Sequence, residues 1–249
     1  MASIVEVELQ EALKLPGCPL CRLEHLAERT YCTWFLLENY YSPPTLETLA
    51  RGGLCRLHAW RMAKLAGQRL AATYDVLVRE AGEKVRRALA LTEASLPGRR
   101  STRRWQASLV RILRRKEACP VCTASARRAE LGARHLVESL EQEAGREEYA
   151  RSDGLCWEHL LEACRVAGPP VAGFLLNDML RRLGALEAAL AEYFRKSDYR
   201  FAHEPKGREQ TAYLDAVELF SGPVDRVGGV MVPGRARLAD GAAGVDRGS

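Results

Sequence analysis

Cys18-Pro19-Leu20-Cys21 and Gly53-Leu54-Cys55-Arg56-Leu57-His58 return later in the chain as Cys119-Pro120-Val121-Cys122 and Gly154-Leu155-Cys156-Trp157-Glu158-His159. Each of the eight Cys and His residues pairs with one 101 positions away: 18 with 119, 21 with 122, 55 with 156, 58 with 159. The glycines at 53 and 154, and those at 67 and 168, keep the same offset. Eight matched positions without a slip read as a tandem duplication.

The spacing carries metal chemistry. In Cys-Pro-x-Cys the proline sets the turn and leaves the next amides free to point at sulfur. Cys and His three apart on a helix share a face and can reach one ion. Three thiolates and one imidazole make a standard closed zinc set. The sequence therefore assigns Cys18, Cys21, Cys55 and His58 to one repeat, and Cys119, Cys122, Cys156 and His159 to the other, as ligands of two structural Zn2+ sites. Each ion would clamp the base of a helical hairpin within its own repeat. An iron–sulfur cluster is the lesser alternative, because it usually takes four cysteines. Disulfides would need an oxidising compartment, and a thioredoxin-like pair would need a βαβ context. A catalytic zinc would leave one position open, whereas four protein ligands are at hand.

The other candidates lack partners at the 101-residue offset. His25 aligns with Ala126, Cys32 with Ala133, and Cys164 with Ala63. His25 reads as a surface residue or one just outside the ligand shell, and the two cysteines as small buried hydrophobes.

Composition sets the class. The chain has 249 residues, 47% hydrophobic and 28% charged, with only 7% aromatic. Leu, Ala, Arg and Glu dominate, and no segment alternates like a strand, which predicts an all-α helical bundle. Ser3 to Glu6 is a capping-box start for a helix running to Leu15. Further helices are predicted over 22–41, 45–50, 54–65, 68–95, 101–116, 123–140, 171–196 and 210–220. The first long one would bury Leu23, Leu26, Thr30, Trp34, Leu37 and Tyr41 on one stripe. The domain plan is a first repeat over 1–98, a basic linker helix with the second repeat over 99–200, a docking segment over 201–221, and a disordered tail over 222–249. No run approaches the roughly 20 apolar residues of a membrane span, and no basic lead with an apolar core opens the chain, so a cytoplasmic protein without a membrane partner is expected.

Charge is concentrated in one place. The net +5 includes eight basic residues and no acidic one between Arg99 and Lys116; the rest holds 29 basic and 32 acidic residues. Arg104, Arg111 and Arg115 fall on one helical stripe opposite Trp105, Leu109 and Ile112. They are candidate anion-binding residues, for nucleic acid or an acidic surface, although a solvated helix face would carry the same pattern.

The doubled Cys-Pro-x-Cys and Gly-x-Cys-x-x-His motifs, with Asp198-Tyr199-Arg200 and a last helix near 210–220, resemble an uncharacterised bacterial family known only as a domain of unknown function. The resemblance spans roughly residues 10–221. It implies an all-helical cytoplasmic protein and carries no activity or partner. Asp198-Tyr199-Arg200 has no counterpart in the first copy; Tyr199 and Arg200 are expected to pin the C-terminal helix. No acid, base or nucleophile converges outside the metal positions, so the sequence points to a non-enzymatic scaffold that presents a surface to a macromolecular partner. The alternatives are a thiol redox switch, with Cys32 and Cys164 as resolving thiols, and nucleic-acid binding through 99–116.

Overall fold

The computed structural model describes residues 3–93, 99–114, 117–201 and 203–223. These residues are helical with short connections, and no strand occurs among them. The helices are α1 (Ile4–Leu13), α2 (Pro19–Trp34), α3 (Pro43–Gly52), α4 (Arg56–Glu93), α5 (Arg99–Leu113), α6 (Pro120–Ser139), α7 (Glu143–Arg151), α8 (Trp157–Val166), α9 (Pro169–Ser197) and α10 (Ala212–Ser221). The predicted tail falls almost entirely outside the described residues.

Two compact units share these helices. One is Met1–Leu23 with Ala129–Ser249, and the other is Glu24–Arg128. The division runs through α2 and α6, whereas the sequence plan places a boundary at 98/99. Each unit therefore draws its helices from both copies of the motif.

In the first unit, Ser3 caps α1. Its hydroxyl accepts from the Glu6 N–H, and the Glu6 carboxylate accepts from the Ser3 N–H, each at 3.2 Å. Val5, Leu9, Ala12 and Leu13 then fall on one face and are buried. Val5, Leu9 and Leu13 pack with Leu20 and Leu23 of α2, Leu136 of α6, Leu140 just after it, Tyr149 of α7, Leu160 of α8 and Leu175 of α9. The φ of +88° at Gly17 turns the chain from α1 into Cys18. A side chain is rarely tolerated at that backbone angle.

In the second unit the core comprises Cys32, Phe35, Leu36, Leu49, Leu54, Met62, Leu70, Cys119 and Val121. This corrects the predicted stripe. Leu26, Trp34, Leu37 and Tyr41 are exposed, while Ala27, Cys32, Phe35 and Leu36 are buried. Small side chains at 27 and 32 occupy the contact face. A π-helical turn over Phe35–Asn39 then changes which side chains face inward. Trp34 instead packs edge-on to Tyr31, with ring centroids 5.4 Å apart.

The predicted break at Gly67 is absent, and α4 runs unbroken for 38 residues. A single helical glycine costs only about 1 kcal/mol, which neighbouring helical residues outweigh. At the matching place in the second copy, Gly168 is followed by Pro169 and Pro170. α8 stops at Val166 and α9 restarts with proline at its head. Proline has no N–H to continue the earlier helix but suits the first turn of a new one.

The C-terminal segment is pinned by other residues than predicted. Tyr199 is 86% exposed. Arg200 forms a local pair with Asp198 at 2.7 Å. The docking contacts are those of Arg195 with Glu204 and of Lys196 with Glu209, the latter at 3.0 Å, while Glu192 on the same helix holds Arg195 in place. The Arg195 guanidinium also stacks 4.6 Å over Phe201.

Candidate metal centres

The first turns of α2 and α6 carry the Cys-Pro-x-Cys motifs, with the proline opening each helix, and Cys55 and Cys156 stand just before α4 and α8, whose first turns carry His58 and His159. Before each Cys-x-x-His the chain passes through a glycine with positive φ, 67° at Gly53 and 74° at Gly154. At Gly154 an added Cβ would lie 2.5 Å from Arg182 Nε, so the arginine occupies the space of a side chain. Arg182 donates to the Ser152 carbonyl and pairs with Asp178. The Leu155 N–H donates to the buried Tyr149 hydroxyl at 3.2 Å. These contacts fix the approach to Cys156.

The Cys and His residues gather into two groups: Cys18, Cys21, Cys156 and His159 in the first unit, and Cys55, His58, Cys119 and Cys122 in the second. Within each group the four donor atoms lie within 4.8 Å of one another. All eight predicted residues are present, but the pairing differs from the sequence reading. Each Cys-Pro-x-Cys meets the Cys-x-x-His of the other copy. The hairpin clamp within one repeat is thereby corrected. An offset of 101 residues identifies equivalent positions, and equivalent positions are compatible with pairing within a copy or across copies.

The same sequence position solves the docking problem differently in the two units. Gly52 lacks a Cβ, and one placed there would sit 2.9 Å from the carbonyl oxygens of Glu117 and Ala118. The strand of chain before Cys119 can therefore lie against the end of α3, where Arg51 also holds Glu117 at 2.8 Å. The matching residue in the other unit is Asp153, whose carboxylate accepts from the Gly17 N–H at 2.8 Å. That bond ties the turn before Cys18 to the approach of Cys156.

The donor geometry fits a tetrahedral ion. His159 Nδ1 faces the sulfurs of Cys18, Cys21 and Cys156 at 3.4, 3.2 and 3.2 Å. His58 Nδ1 faces Cys55, Cys119 and Cys122 at 3.2, 3.5 and 3.3 Å. The Cys21–Cys156 and Cys55–Cys122 sulfurs are 3.6 and 3.7 Å apart. A zinc ion bonded at about 2.3 Å to sulfur and about 2.0 Å to nitrogen gives edges of about 3.8 and 3.5 Å. One ring nitrogen can donate to one acceptor, so three sulfurs converging on it are better explained by a shared cation than by hydrogen bonds.

Without a cation these groups share protons unevenly. His58 is pushed up to about 10 by its hydrogen bonds to Cys119 and Glu28. Burial works against the Cys119 thiolate, yet the His58 hydrogen bond and nearby amides bring it down to about 6. Cys122 is pushed up to about 12 by burial and by the neighbouring Cys119 charge. In the other group, hydrogen bonds from Cys18 and Cys21 hold Cys156 far below the ordinary thiol range, while Cys21 is driven up. Each group thus favours one thiolate and penalises the next, and a divalent ion relieves that penalty.

One residue escaped the sequence reading. Glu28 Oε1 lies 3.0 Å from His58 Nε2, and Glu28 Oε2 lies 2.5 Å from Arg61 Nη1. His25 Nδ1 is 3.5 Å from the same carboxylate, which places it one step outside the donor set. Burial alone would raise Glu28, but His25, His58 and Arg61 together hold it well below the usual carboxylate range. Its counterpart at the 101-residue offset is Ala129. Offset matching therefore gave no signal for it; a carboxylate two turns along the helix from Cys21 was the only hint.

The remaining candidates lie elsewhere. Cys32 is buried in the second core, and Cys164 is half-buried against the first. Arg103, Arg104 and Arg111 are exposed on α5, as is Arg114 just after it. Among the described residues none of these four has an acidic partner. Arg115 lies outside the described residues.

Residues 1–226 match the model of a family of unknown function (DUF6062), and the chain belongs to that family. No curated protein and no solved structure matches the chain. No described helix is long and apolar enough to cross a membrane.

Proposed function

We propose that this member of the family is a non-enzymatic helical scaffold held by two structural Cys3His zinc sites. The observation that carries the reading is that both groups close on four protein donors. An ion there would be fully ligated by the chain, with no position reserved for water or substrate. Cys18, Cys21, Cys156 and His159 would hold one ion; Cys55, His58, Cys119 and Cys122 would hold the other. What zinc supplies when bound is a cross-link, together with compensation for the buried thiolates. In small zinc domains such binding amounts to roughly 10–16 kcal/mol, so metal and folding are coupled.

The test is elemental analysis with an absorption spectrum, on tag-free protein purified without added metal. Two zinc ions per chain and no visible absorption support the reading. Iron with visible absorption replaces it with a cluster protein. Metal content near zero, in protein that is folded and fully reduced, ends it.

A scaffold needs a surface for a partner, and α5 supplies the best candidate. Its apolar side carries Trp105, Leu109 and Ile112, and α5 packs on α4. Its other side presents Arg103, Arg104 and Arg111, with Arg114 just beyond its end, over about three turns. That face suits an anionic macromolecule such as nucleic acid. Binding of duplex DNA or RNA that weakens steeply with salt, and is lost on reversing Arg104 and Arg111 to Glu, is the supporting outcome. Binding unchanged in that variant excludes this face.

A further inference from the structure

The two donor groups are not equally protected. Cys18, Cys21, Cys156 and His159 are all buried, none more than 7% exposed. Gly222, at the end of α10, comes so close that a Cβ there would touch Cys21 Sγ at 3.6 Å. Phe220 and Trp157 stack near the same end, with centroids 5.8 Å apart. The C-terminal segment thus lies over this site. In the other group His58 and Cys119 are buried, but Cys55 is half-buried and Cys122 is exposed. Its sulfur lies 3.7 Å from Cys55 Sγ.

Reactivity of a cysteine requires thiolate character together with access. A metal-bound Cys122 has both, and a second thiolate waits within reach of it. We propose that Cys122 is a modification site for hydroperoxides, and that its group is a two-electron switch while the buried group is permanent. This rests on the metal-bound reading and deepens it by giving the two sites different roles.

The chemistry balances. The Cys122 thiolate attacks one peroxide oxygen; an S–O bond forms, the O–O bond breaks, and the leaving oxygen takes a proton and departs as water. The Cys55 thiolate then attacks the Cys122 sulfenic acid; an S–S bond forms, and the S–O bond breaks as hydroxide leaves and is protonated. Two thiolates lose two electrons, and hydrogen peroxide becomes two waters. Only Cys119 and His58 are left to the ion, too few to retain it. The resolving thiol is thus Cys55 in place of Cys32 or Cys164.

The test uses the full chain with its metal, treated with graded hydrogen peroxide. Released zinc is read with a chromogenic chelator, and disulfides are mapped by mass spectrometry. The expected result is loss of one of two ions per chain, a Cys55–Cys122 linkage, and reduced Cys18, Cys21 and Cys156. Simultaneous loss of both ions overturns the proposal. So does full retention at doses that oxidise an exposed control thiol, or a linkage that omits Cys122. A Cys122→Ser variant is expected to slow peroxide-driven release at least tenfold. Because that variant can lose its ion or fold poorly, brief N-ethylmaleimide labelling of the wild type provides a second reading, with Cys122 expected to label first among the ligand cysteines. First labelling at Cys18, Cys21 or Cys156 overturns the proposal as well. Absence of metal before any peroxide is added defeats the zinc reading instead, and with it the bound thiolate that makes Cys122 reactive.

Discussion

Glu28 and His58 meet across 3.0 Å, carboxylate oxygen to Nε2, while Nδ1 of the same ring faces three sulfurs. The contact places the ring proton on Nε2 and the lone pair on Nδ1, toward the donor group. Partners of this kind typically account for about 10–100-fold in metal affinity. Glu28→Ala is expected to weaken the Cys55 site by that factor and leave the Cys18 site within about twofold. Glu28→Gln is expected to lose less, because an amide oxygen still accepts from Nε2–H. Chelator competition resolving the two binding steps provides the check; equal weakening at both sites would refute a local role.

The crossed pairing makes a stoichiometric prediction. Cys21→Ser with His159→Ala damages one group and should leave one ion per chain. Cys21→Ser with His58→Ala damages both and should leave none. Pairing within each copy gives the opposite result, so native mass spectrometry of the two double variants decides between them.

Protons compete with the ion for the same atoms. His58 near 10 and Cys122 near 12 hold protons at neutral pH that an incoming ion must displace. Metal affinity of that group is therefore expected to rise with pH between about pH 7 and 9, since His58 and Cys122 must each give up a proton to the incoming ion. The metal-free fold behaves differently. His58 is raised, so its contribution is full below 6.5 and is lost as pH rises through about 10. Cys119 is lowered, so its contribution is full above 9.0 and is lost as pH falls through about 6. Their pair should favour the metal-free second unit between those limits. Binding titrations and denaturation of metal-free protein across that range test both statements.

Glu209 holds the C-terminal segment from a nearly buried position. It accepts from the Gly207 N–H at 2.7 Å and pairs with Lys196 at 3.0 Å. The Gly207 amide first, and then Lys196, bring its carboxyl down to about 2. A lowered carboxylate contributes fully above its ordinary 4.5, and that contribution is lost as pH falls through about 2. Amide protection in α10 should therefore fall in acid, and Glu209→Gln should reproduce part of the loss at neutral pH. Hydrogen exchange that is the same for variant and parent would rule this anchor out.

The donor residues were legible because ligand chemistry tolerates few residue types and the same spacing occurs twice in the sequence. The helical class was legible for a similar reason, since composition and the lack of alternation leave few options. The ring of donors around each site was not. Whether Cys21 meets Cys55 or Cys156 depends on how α2 and α6 pass their neighbours. Glu28 stayed hidden because it matters in only one unit. Phe35, not Trp34, is buried because the face that leads inward already runs through Ala27 and Cys32, small side chains that a search for a stripe of large apolar residues passes over. Tyr199 and Arg200 looked like anchors because their motif is not repeated, yet Arg195 and Lys196, one turn earlier, make the docking contacts.

The crossed pairing also imposes a timetable. The donor groups are nested along the chain: one spans 55 to 122 and lies wholly inside the other, which spans 18 to 159. His58 and Cys119 are 61 residues apart, and Cys21 and Cys156 are 135 apart. The longer closure costs only about 0.7 kcal/mol more, so loop entropy scarcely ranks the two. Vectorial synthesis does. A ribosome delivers Cys122 before His159, and at about 5–20 residues per second the inner group is complete roughly 2–7 s earlier. Through that interval the first cysteines made, Cys18 and Cys21, wait as an open bidentate thiol pair. The most sheltered metal site of the finished protein is thus the last to be completed, and its earliest ligands are the longest exposed to competing metals and oxidants in the nascent chain.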